Sequence, residues 1–223
     1  MRQYMETETA FGATEVTYAD FEAQKNALWP KPEAGQETWK ELEAKAKACQ
    51  ACALGRTRNN VVYGEGNVSA DLMFIGEAPG LDEDRTGRPF TGKAGQLLSK
   101  IIVAMGLKRQ DVYLANSLKC KPPESQSPLP EEIAQCSPIL KRQIELIRPK
   151  VICTLGTIAT QTLLQSDQPI SQLRGKWHDY DNYKVMPTYH PSYLLSNPEE
   201  KKAVWDDIQL ITKELGLALP NAK

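Results

Sequence analysis

The chain has 223 residues, of which 41% are hydrophobic and 25% are charged, and its formal net charge at pH 7 is -1. This composition is ordinary for a soluble globular protein, and the length suits one main domain. No apolar run approaches the roughly 18 residues that cross a bilayer, and the start "MRQYMETETAF" lacks the pattern of a secretory signal. We therefore expect a cytoplasmic protein and neither a membrane protein nor a secreted one.

A break in composition separates the start of the chain from the rest. The stretch "WPKPEAGQ" (29–36) contains two prolines and a glycine, which favours a linker. Acidic residues outnumber basic ones before it, whereas basic residues slightly outnumber acidic ones in the body of the chain. We therefore expect residues 1–35 to form an N-terminal extension and residues 36–223 to form the main domain.

Apolar and amphipathic runs alternate along the main domain. Short apolar runs predict strands at 71–76, 111–119, 150–156 and 183–190. Longer amphipathic runs predict helices at 36–48, 94–106, 130–149, 157–165 and 197–215. Strands that alternate with helices indicate an α/β domain, in which a parallel sheet carries helices on both faces.

Unusual polar residues follow three of the predicted strands. The segment 77–80 (Glu-Ala-Pro-Gly) follows the first strand, Asn116 lies near the end of the second, and 190–192 (His-Pro-Ser) ends the fourth. Ligands of open α/β sheets bind beyond the carboxyl ends of the strands. These polar groups are therefore predicted to meet at one edge of the sheet.

The loop after the first strand, "GEAPGLDEDRTGRPF" (76–90), combines turn-forming residues with several acids. Its glycines and proline permit a close approach of backbone to a ligand, whereas its carboxylates would repel a bare phosphate. Asp82 and Asp84 are expected to be surface charges or partners of Arg85 and Arg88.

Five cysteines are present, and four of them occur in two pairs. Cys49 and Cys52 form a C-x2-C pair, and Cys120 and Cys136 are separated by fifteen residues. Thiolates without a matching histidine point to an iron–sulfur cluster or a structural zinc ion. Cys153 lies in the apolar run "VICTL" and is predicted to be a buried, inert strand residue.

Six passages together resemble the uracil-DNA glycosylases of family four, the iron–sulfur-containing branch. The similarity covers roughly residues 45–215. The passages are "CQACALGRTRNNVVYGEGN" (49–67), "FIGEAPGLDEDRTGRPFTGKAGQLL" (74–98), "LANSLKCKPP" (114–123), "IRPKVICTLG" (147–156), "LRGKWH" (173–178) and "PTYHPSYLL" (187–195).

The resemblance implies a monomeric DNA-repair enzyme that removes uracil from DNA. It implies a four-stranded parallel sheet flanked by helices and a [4Fe–4S] cluster held by Cys49, Cys52, Cys120 and Cys136. It also implies a uracil pocket formed by the following residues: Glu77, Ala78, Glu83, Phe90, Asn116 and His190.

The residue types of this implied pocket suit the chemistry of base excision. The Phe90 ring would stack on a flipped base, and the Asn116 amide matches the N3–H and O4 of uracil but not the reversed pattern of cytosine. His190 would stabilise the negative charge that develops on the departing uracil. Glu77 would position water or the pocket wall, and Glu83 would crowd the C5 side against the methyl group of thymine.

Contacts to DNA are predicted outside the pocket. Four residues after His190 are expected to push an apolar wedge into the stack, namely Ser192, Tyr193, Leu194 and Leu195. Five basic residues are candidate phosphate contacts, namely Lys93, Lys119, Lys121, Arg174 and Lys176. His178, beside Trp177, is expected to be structural.

Two other functions remain open from the sequence. One is a non-catalytic iron–sulfur DNA-binding module of the same fold, against which the presence of Asn116 and His190 speaks. The other is a zinc-bound hydrolase unrelated to DNA.

Overall fold

A computed structural model describes residues 38–123 and 126–218, and these residues belong to one compact unit. The predicted N-terminal extension, residues 1–35, lies outside the described residues, as do the first two positions of the helix predicted at 36–48. None of the described helices is both long enough and apolar enough to cross a membrane.

A six-stranded sheet forms the centre of the described fold. Its strands lie in the order β1-β3-β2-β4-β6-β5, in which β3, β2, β4 and β6 are parallel and the edge strands β1 and β5 are antiparallel to their neighbours. The strands are β1 Glu65–Gly66, β2 Leu72–Gly76, β3 Tyr113–Asn116, β4 Val151–Leu155, β5 His178–Tyr180 and β6 Tyr183–Thr188.

This sheet confirms the predicted α/β fold and its four parallel strands. The edge strands β1 and β5 were not predicted, because two or three residues are too few to show a period in the sequence. The second strand is shorter than predicted. It ends at Asn116, where the chain turns toward the cysteines at positions 120 and 136.

Helices cover both faces of the sheet. They are α1 Trp39–Ala48, α2 Leu54–Thr57, α3 Leu81–Thr86, α4 Lys93–Ala104, α5 Pro130–Ile147, α6 Thr157–Leu164, α7 Ile170–Leu173, α8 Pro191–Ser196 and α9 Lys201–Glu214. The five predicted helices correspond to α1, α4, α5, α6 and α9. The last begins later than predicted because Pro198–Glu200 forms a separate 3-10 turn.

The alternation of side chains along the strands produces two cores. Leu72 and Phe74 of β2 point to one face and pack with the apolar residues of α4, α8 and α9. Met73 and Ile75 point to the other face and pack with α5 and α6. Every residue of β2 is buried, as expected for a central parallel strand.

A buried ion pair joins α9 to the strand that leads into the candidate site. Asp207 of α9 accepts hydrogen bonds from Arg174, at 2.7 Å and 3.1 Å, and from Thr188 Oγ1. Asp207 is 1% exposed, whereas the adjacent Asp206 faces solvent and pairs with the exposed Lys202. The two neighbouring acids therefore have different environments.

We expect Asp207→Ala to lower the free energy of unfolding by about 3 kcal/mol, because it leaves Arg174 without its buried partner. Asp206→Ala is the matched control and should change this free energy by less than about 1 kcal/mol, as exposed pairs do. Urea unfolding of both variants measures the difference, and equal losses would contradict the assigned role of Asp207.

Candidate active site and cysteine cavity

Two predicted pocket residues, Phe90 and Asn116, meet beside Gly76 at the end of β2. A Cβ atom at Gly76 would lie 2.4 Å from Asn116 Oδ1 and 2.6 Å from Phe90 Cζ. Asn116 is 3% exposed and Phe90 is 6% exposed, so both side chains lie inside the protein. Glycine at position 76 therefore leaves room for these two groups to face each other.

His190 lies beside this group, at the start of α8. Its ring centroid is 6.2 Å from that of Phe90, with 30° between the ring planes. The backbone N–H of Ser192 donates to His190 Nδ1 at 3.1 Å, and Ser192 Oγ lies 2.7 Å from the same nitrogen. Because an N–H group can only donate, Nδ1 is the acceptor, and the proton of the neutral ring is on Nε2.

The imidazole of His190 is held in its neutral form. Burial lowers its pKa to about 4, against a smaller opposing effect of the Glu83 charge. A neutral ring with its proton on Nε2 donates one hydrogen bond without adding a positive charge to the site.

Glu77 lies between His190 and the N-terminus of α6. Its Oε1 accepts a hydrogen bond from the backbone N–H of Ile158 at 3.1 Å. A Cβ atom at Gly156, whose φ is +91°, would lie 2.4 Å from this oxygen and 3.0 Å from His190 Cβ. Only glycine fits between the two side chains. Burial raises the pKa of Glu77, and the amides of Ile158 and Thr157 partly oppose that effect.

The Glu83 side chain joins the two ends of the loop that carries Phe90. Its Oε1 accepts from the amides of Thr91 and Gly92 at 2.9 Å and 3.0 Å, and its Oε2 accepts from the amide of Gly80 at 3.0 Å. This carboxylate therefore holds the loop in shape by binding backbone amides from both of its ends.

A cleft of about 350 Å³ opens beside these residues. Glu77, Ala78 and His190 line one part of it, and Lys121 lines another. The predicted site residues Glu77, Ala78 and His190 therefore share one cleft, next to the buried pair Phe90 and Asn116.

The residues predicted to enter DNA divide into two groups. Ser192, Tyr193 and Leu195 are exposed, the last two by 43% and 46%. Leu194 is 1% exposed and packs in the core with α4 and α9. The structure therefore places Leu194 away from the surface on which the other three lie.

Two predictions made from charge were wrong, those for Lys119 and Asp84. Lys119 is buried and donates from Nζ to the backbone oxygen of Asn116 at 2.7 Å, so it does not reach a phosphate. Arg174 is held by the buried Asp207 but is itself partly exposed, so its contact with phosphate stays a prediction. Asp84 is 1% exposed and accepts from the amides of Asn59 and Asn60, which excludes a surface role. His178 Nε2 lies 2.9 Å from the oxygen of Leu173, consistent with a structural role.

The four paired cysteines line one cavity of about 20 Å³, enclosed by α1, α2 and α5. Cys153 lies in β4 instead, buried in the core between the sheet and α9. Within residues 38–123 and 126–218, no three Cys, His, Asp or Glu side chains are placed to hold a single metal ion. The structure thus separates Cys153 from the other four, as the sequence predicted.

Donors surround the sulfurs of this cavity. Arg58 Nη1 lies 3.0 Å from Cys120 Sγ, and the backbone N–H of Lys119 lies 3.3 Å from Cys136 Sγ. Burial raises the pKa of the Cys120 thiol, and it raises the pKa of Cys136 to about 12. A bound cation would have to displace these protons, since only the thiolate is a strong ligand.

Sequence reasoning missed Gly156, Glu65 and Arg109. Gly156 follows a strand and precedes a helix, a position at which glycine often allows close backbone approach, so its signal was present. Arg109 donates to the backbone oxygen of Phe90 and to Glu65 Oε1. No local pattern links these residues, because they are far apart in the chain.

Comparison with known proteins connects this geometry to a family. A family model described as the uracil DNA glycosylase superfamily matches residues 63–209. The chain is 44% identical over 172 residues to the type-4 uracil-DNA glycosylase of Thermotoga maritima, covering 75% of this chain and 90% of that relative.

Two other relatives, one of type 4 and one of type 5, show which type this chain resembles more. The type-4 uracil-DNA glycosylase of Saccharolobus solfataricus is 44% identical over 178 residues, which cover 76% of this chain and 82% of the relative. The type-5 uracil-DNA glycosylase of Pyrobaculum aerophilum is 32% identical over 149 residues, which cover 59% and 66%. The similarity to these type-4 proteins is therefore greater in identity and in coverage.

We expect NMR titration to show His190 as an Nε2–H tautomer with a pKa of about 4. Because the unfolded value is about 6.5, the unfolded chain binds more protons between these values, and stability should fall as the pH decreases from about 6.5 to 4. His190→Asn identifies the resonance and should remove this contribution. A midpoint near 6.5 would contradict the neutral state of the folded protein.

Proposed function

This chain belongs to the uracil DNA glycosylase superfamily, and we propose that it removes uracil from DNA by hydrolysing the N-glycosidic bond and leaving an abasic site. The observation that carries the proposal is that the Phe90 ring lies beside Asn116 at Gly76 and also beside His190. A base must leave the helical stack to be excised, and such a group of one ring, one amide and one imidazole suits a flipped base.

Recognition of the base is assigned to Asn116 and Phe90. Within the described part of the chain, the Asn116 side-chain amide makes no hydrogen bond to protein, so it is available to a ligand although it is buried. It would accept from N3–H and donate to O4 of uracil, while the Phe90 ring stacks on the base. Cytosine reverses this pattern, and sites built on such hydrogen bonds discriminate by about 10⁴-fold.

Bond cleavage is assigned mainly to stabilisation of the leaving group. The Nε2–H of His190 would donate to uracil O2, on which negative charge develops as the bond breaks. The low pKa of His190 supports this role, because a neutral imidazole donates a hydrogen bond to the anion and keeps its own proton. Water would attack C1′ of the positively charged sugar from the other side, so that a C1′–O bond replaces the broken bond to N1 of uracil and the proton of the water passes to solvent.

The two carboxylates are given different tasks. Glu77 is fixed at Oε1 by the Ile158 amide and lines the cleft beside His190, so it would orient the attacking water. Glu83 has its oxygens occupied by three backbone amides, which supports a role in shaping the pocket wall on the C5 side of the base. Ala78 would supply backbone and a small side chain next to the base.

DNA would be held next to the cleft. Tyr193 and Leu195 are exposed on α8, which follows His190, and they would fill the gap that the flipped base leaves. Ser192 would contact the backbone of the DNA near the same point. The oligomeric state implied by the resemblance, a monomer, remains a prediction that size-exclusion chromatography with light scattering checks.

The cysteine cavity is proposed to hold a [4Fe–4S] cluster. Its four thiols line one cavity and are soft ligands of the kind that bind iron. The Arg58 and Lys119 N–H groups lie beside the sulfurs, where such hydrogen bonds adjust the reduction potential of a cluster. Each cysteine of a four-iron cluster binds a different iron, so the four sulfurs need not converge on one point as they would for zinc. When bound, the cluster would link α1, α2 and α5 and so stabilise the fold.

Incubation with an oligonucleotide containing one uracil, followed by alkaline cleavage, tests the function. We expect cleavage at uracil and none at cytosine or thymine in the same position. Asn116→Asp should lose most of the excision, because it replaces the amide donor by an acceptor. A protein that binds this DNA but never cleaves it would instead be a non-catalytic iron–sulfur module of the same fold.

We expect His190→Asn to lower the single-turnover rate by about 10²–10³-fold while affinity for an uncleavable uracil analogue changes little. Asparagine preserves a good helix N-cap, so α8 should remain folded. Thermal melting of the same preparation separates a loss of chemistry from a loss of folding. A normal rate in a stable variant would exclude the assigned role.

Replacement of each cysteine by alanine tests the cluster. We expect the variants of Cys49, Cys52, Cys120 and Cys136 to lose iron and brown colour and to melt at lower temperature, since metal binding stabilises the folded state. Cys153→Ala is the matched control and should keep its iron. Zinc in place of iron in the purified wild-type protein would show that the cavity holds a structural zinc ion.

A further inference from the structure

Phe90 has a backbone conformation that its residue type does not favour. Its φ is +53°, in the left-handed region. The other described non-glycine residues with positive φ have a local reason: Arg148 and Gln165 end helices, and Asp181 and Asn182 form the β5–β6 turn. Phe90 lies in neither setting. Such a residue keeps this conformation only where surrounding contacts fix it.

One side chain from a distant part of the chain supplies such contacts. Arg109, in the 3-10 turn before β3, donates from Nη1 to the Phe90 oxygen at 3.2 Å and from Nη2 to the Pro89 oxygen. The guanidinium therefore binds the carbonyl oxygens of the two peptide groups that flank Phe90. Its planar fork suits two neighbouring carbonyls, whereas lysine offers a single point charge.

Glu65 anchors this arginine. Arg109 Nε lies 3.1 Å from Glu65 Oε1, and Glu65 itself is fixed in the edge strand β1, which pairs with β3. Arg88 donates to both oxygens of the same carboxylate, to Oε2 at 2.8 Å and to Oε1 at 3.0 Å. In the described part of the chain, Glu65 is the only partner of the Arg88 side chain, which is largely exposed.

Packing from α4 prevents the Phe90 main chain from relaxing in the other direction. A Cβ atom at Gly95 would lie 1.8 Å from the Phe90 oxygen, so α4 is in direct contact with this peptide. The amides of Thr91 and Gly92 are held by Glu83. Arg109 therefore supplies a third contact to this segment, from the 3-10 turn before β3.

We propose that Arg109, anchored by Glu65, is a positioning residue for base excision, which holds the Phe90 main chain so that the ring stays beside Asn116 and His190. This inference rests on the proposed excision of uracil. Arg109 acts through Phe90 and not on DNA, because its three bonded nitrogens point to protein oxygens.

Single-turnover excision by Arg109→Gln and Arg109→Lys provides the test. We expect both variants to lose about 10- to 100-fold in rate, because a small displacement of a positioning group has effects of this size. Affinity for uracil-free DNA, and the salt dependence of that affinity, should match the wild type. Arg88→Gln is the matched control. It removes the hydrogen bonds from Arg88 to Glu65 but leaves those of Arg109. It should therefore change the rate by less than about twofold, as a surface change does.

A double-mutant cycle with Phe90→Ala distinguishes positioning from general stability. When the ring is absent, Arg109→Gln should add less than about threefold to the loss, since coupled residues are not additive. A full additional loss would overturn the proposal, as would a wild-type rate in Arg109→Gln. A salt slope reduced by about one would identify Arg109 as a phosphate contact and overturn it too.

Glu65→Gln keeps the test decisive if the arginine variants fold poorly. It retains the shape of the side chain but weakens its hold on Arg109, so we expect a smaller loss that Phe90→Ala again masks. A loss that Phe90→Ala does not mask would overturn the proposal. Wild-type protein assayed in parallel separates the two levels: no excision by the wild type defeats the proposed function, whereas active wild type with unaffected variants defeats only the role of Arg109.

Discussion

The Glu83 carboxylate makes the interactions on which the candidate pocket depends. It accepts the amides of Gly80, Thr91 and Gly92, and it thereby closes the loop between β2 and α4 around α3. Charge-assisted hydrogen bonds of this kind are stronger than neutral ones. Phe90 is next to this closure, so the position of its ring follows from a carboxylate that binds three backbone amides and, at 3.5 Å, the Thr91 hydroxyl. Both Arg109 and Gly95 contact the Phe90 oxygen, so these two contacts require the position of Phe90 that the closed loop defines.

The acidic character of this loop has a physical explanation in the fold. Three of its four carboxylates are turned toward backbone amides of the protein: Glu77 toward α6, Glu83 toward its own loop, and Asp84 toward Asn59 and Asn60. Asp82 is exposed and pairs with Arg85 instead. A base that leaves as an anion would be disfavoured by free negative charge nearby. Binding the three carboxylates to amide dipoles would reduce that effect, and a neutral His190 adds no charge to the site that we propose for a polar, uncharged base.

The cysteine cavity and the candidate pocket are connected through a few residues of main chain. Lys119 donates from its backbone to Cys136 Sγ and from Nζ to the Asn116 oxygen. The turn after β3 also returns to β2, since the amides of Ser117 and Leu118 donate to the oxygens of Gly76 and Glu77. Any group that fixes the cysteines therefore also restricts the end of β3. A metal centre held by these cysteines would therefore have a structural effect on the proposed base recognition without any part in bond cleavage.

The amino-acid sequence was enough to predict the segments that form the four parallel strands, the five longer helices and the meeting of Glu77, Asn116 and His190, because hydrophobic period and strand ends are local features. It also separated Cys153 from the paired cysteines, since an apolar run marks a buried strand. Other features became visible only in the folded chain: Lys119 and Leu194 are internal, Gly156 makes room between Glu77 and His190, and Arg109 binds the Phe90 oxygen. These features depend on contacts between residues distant in the chain, and such contacts leave no periodic signal in the amino-acid sequence.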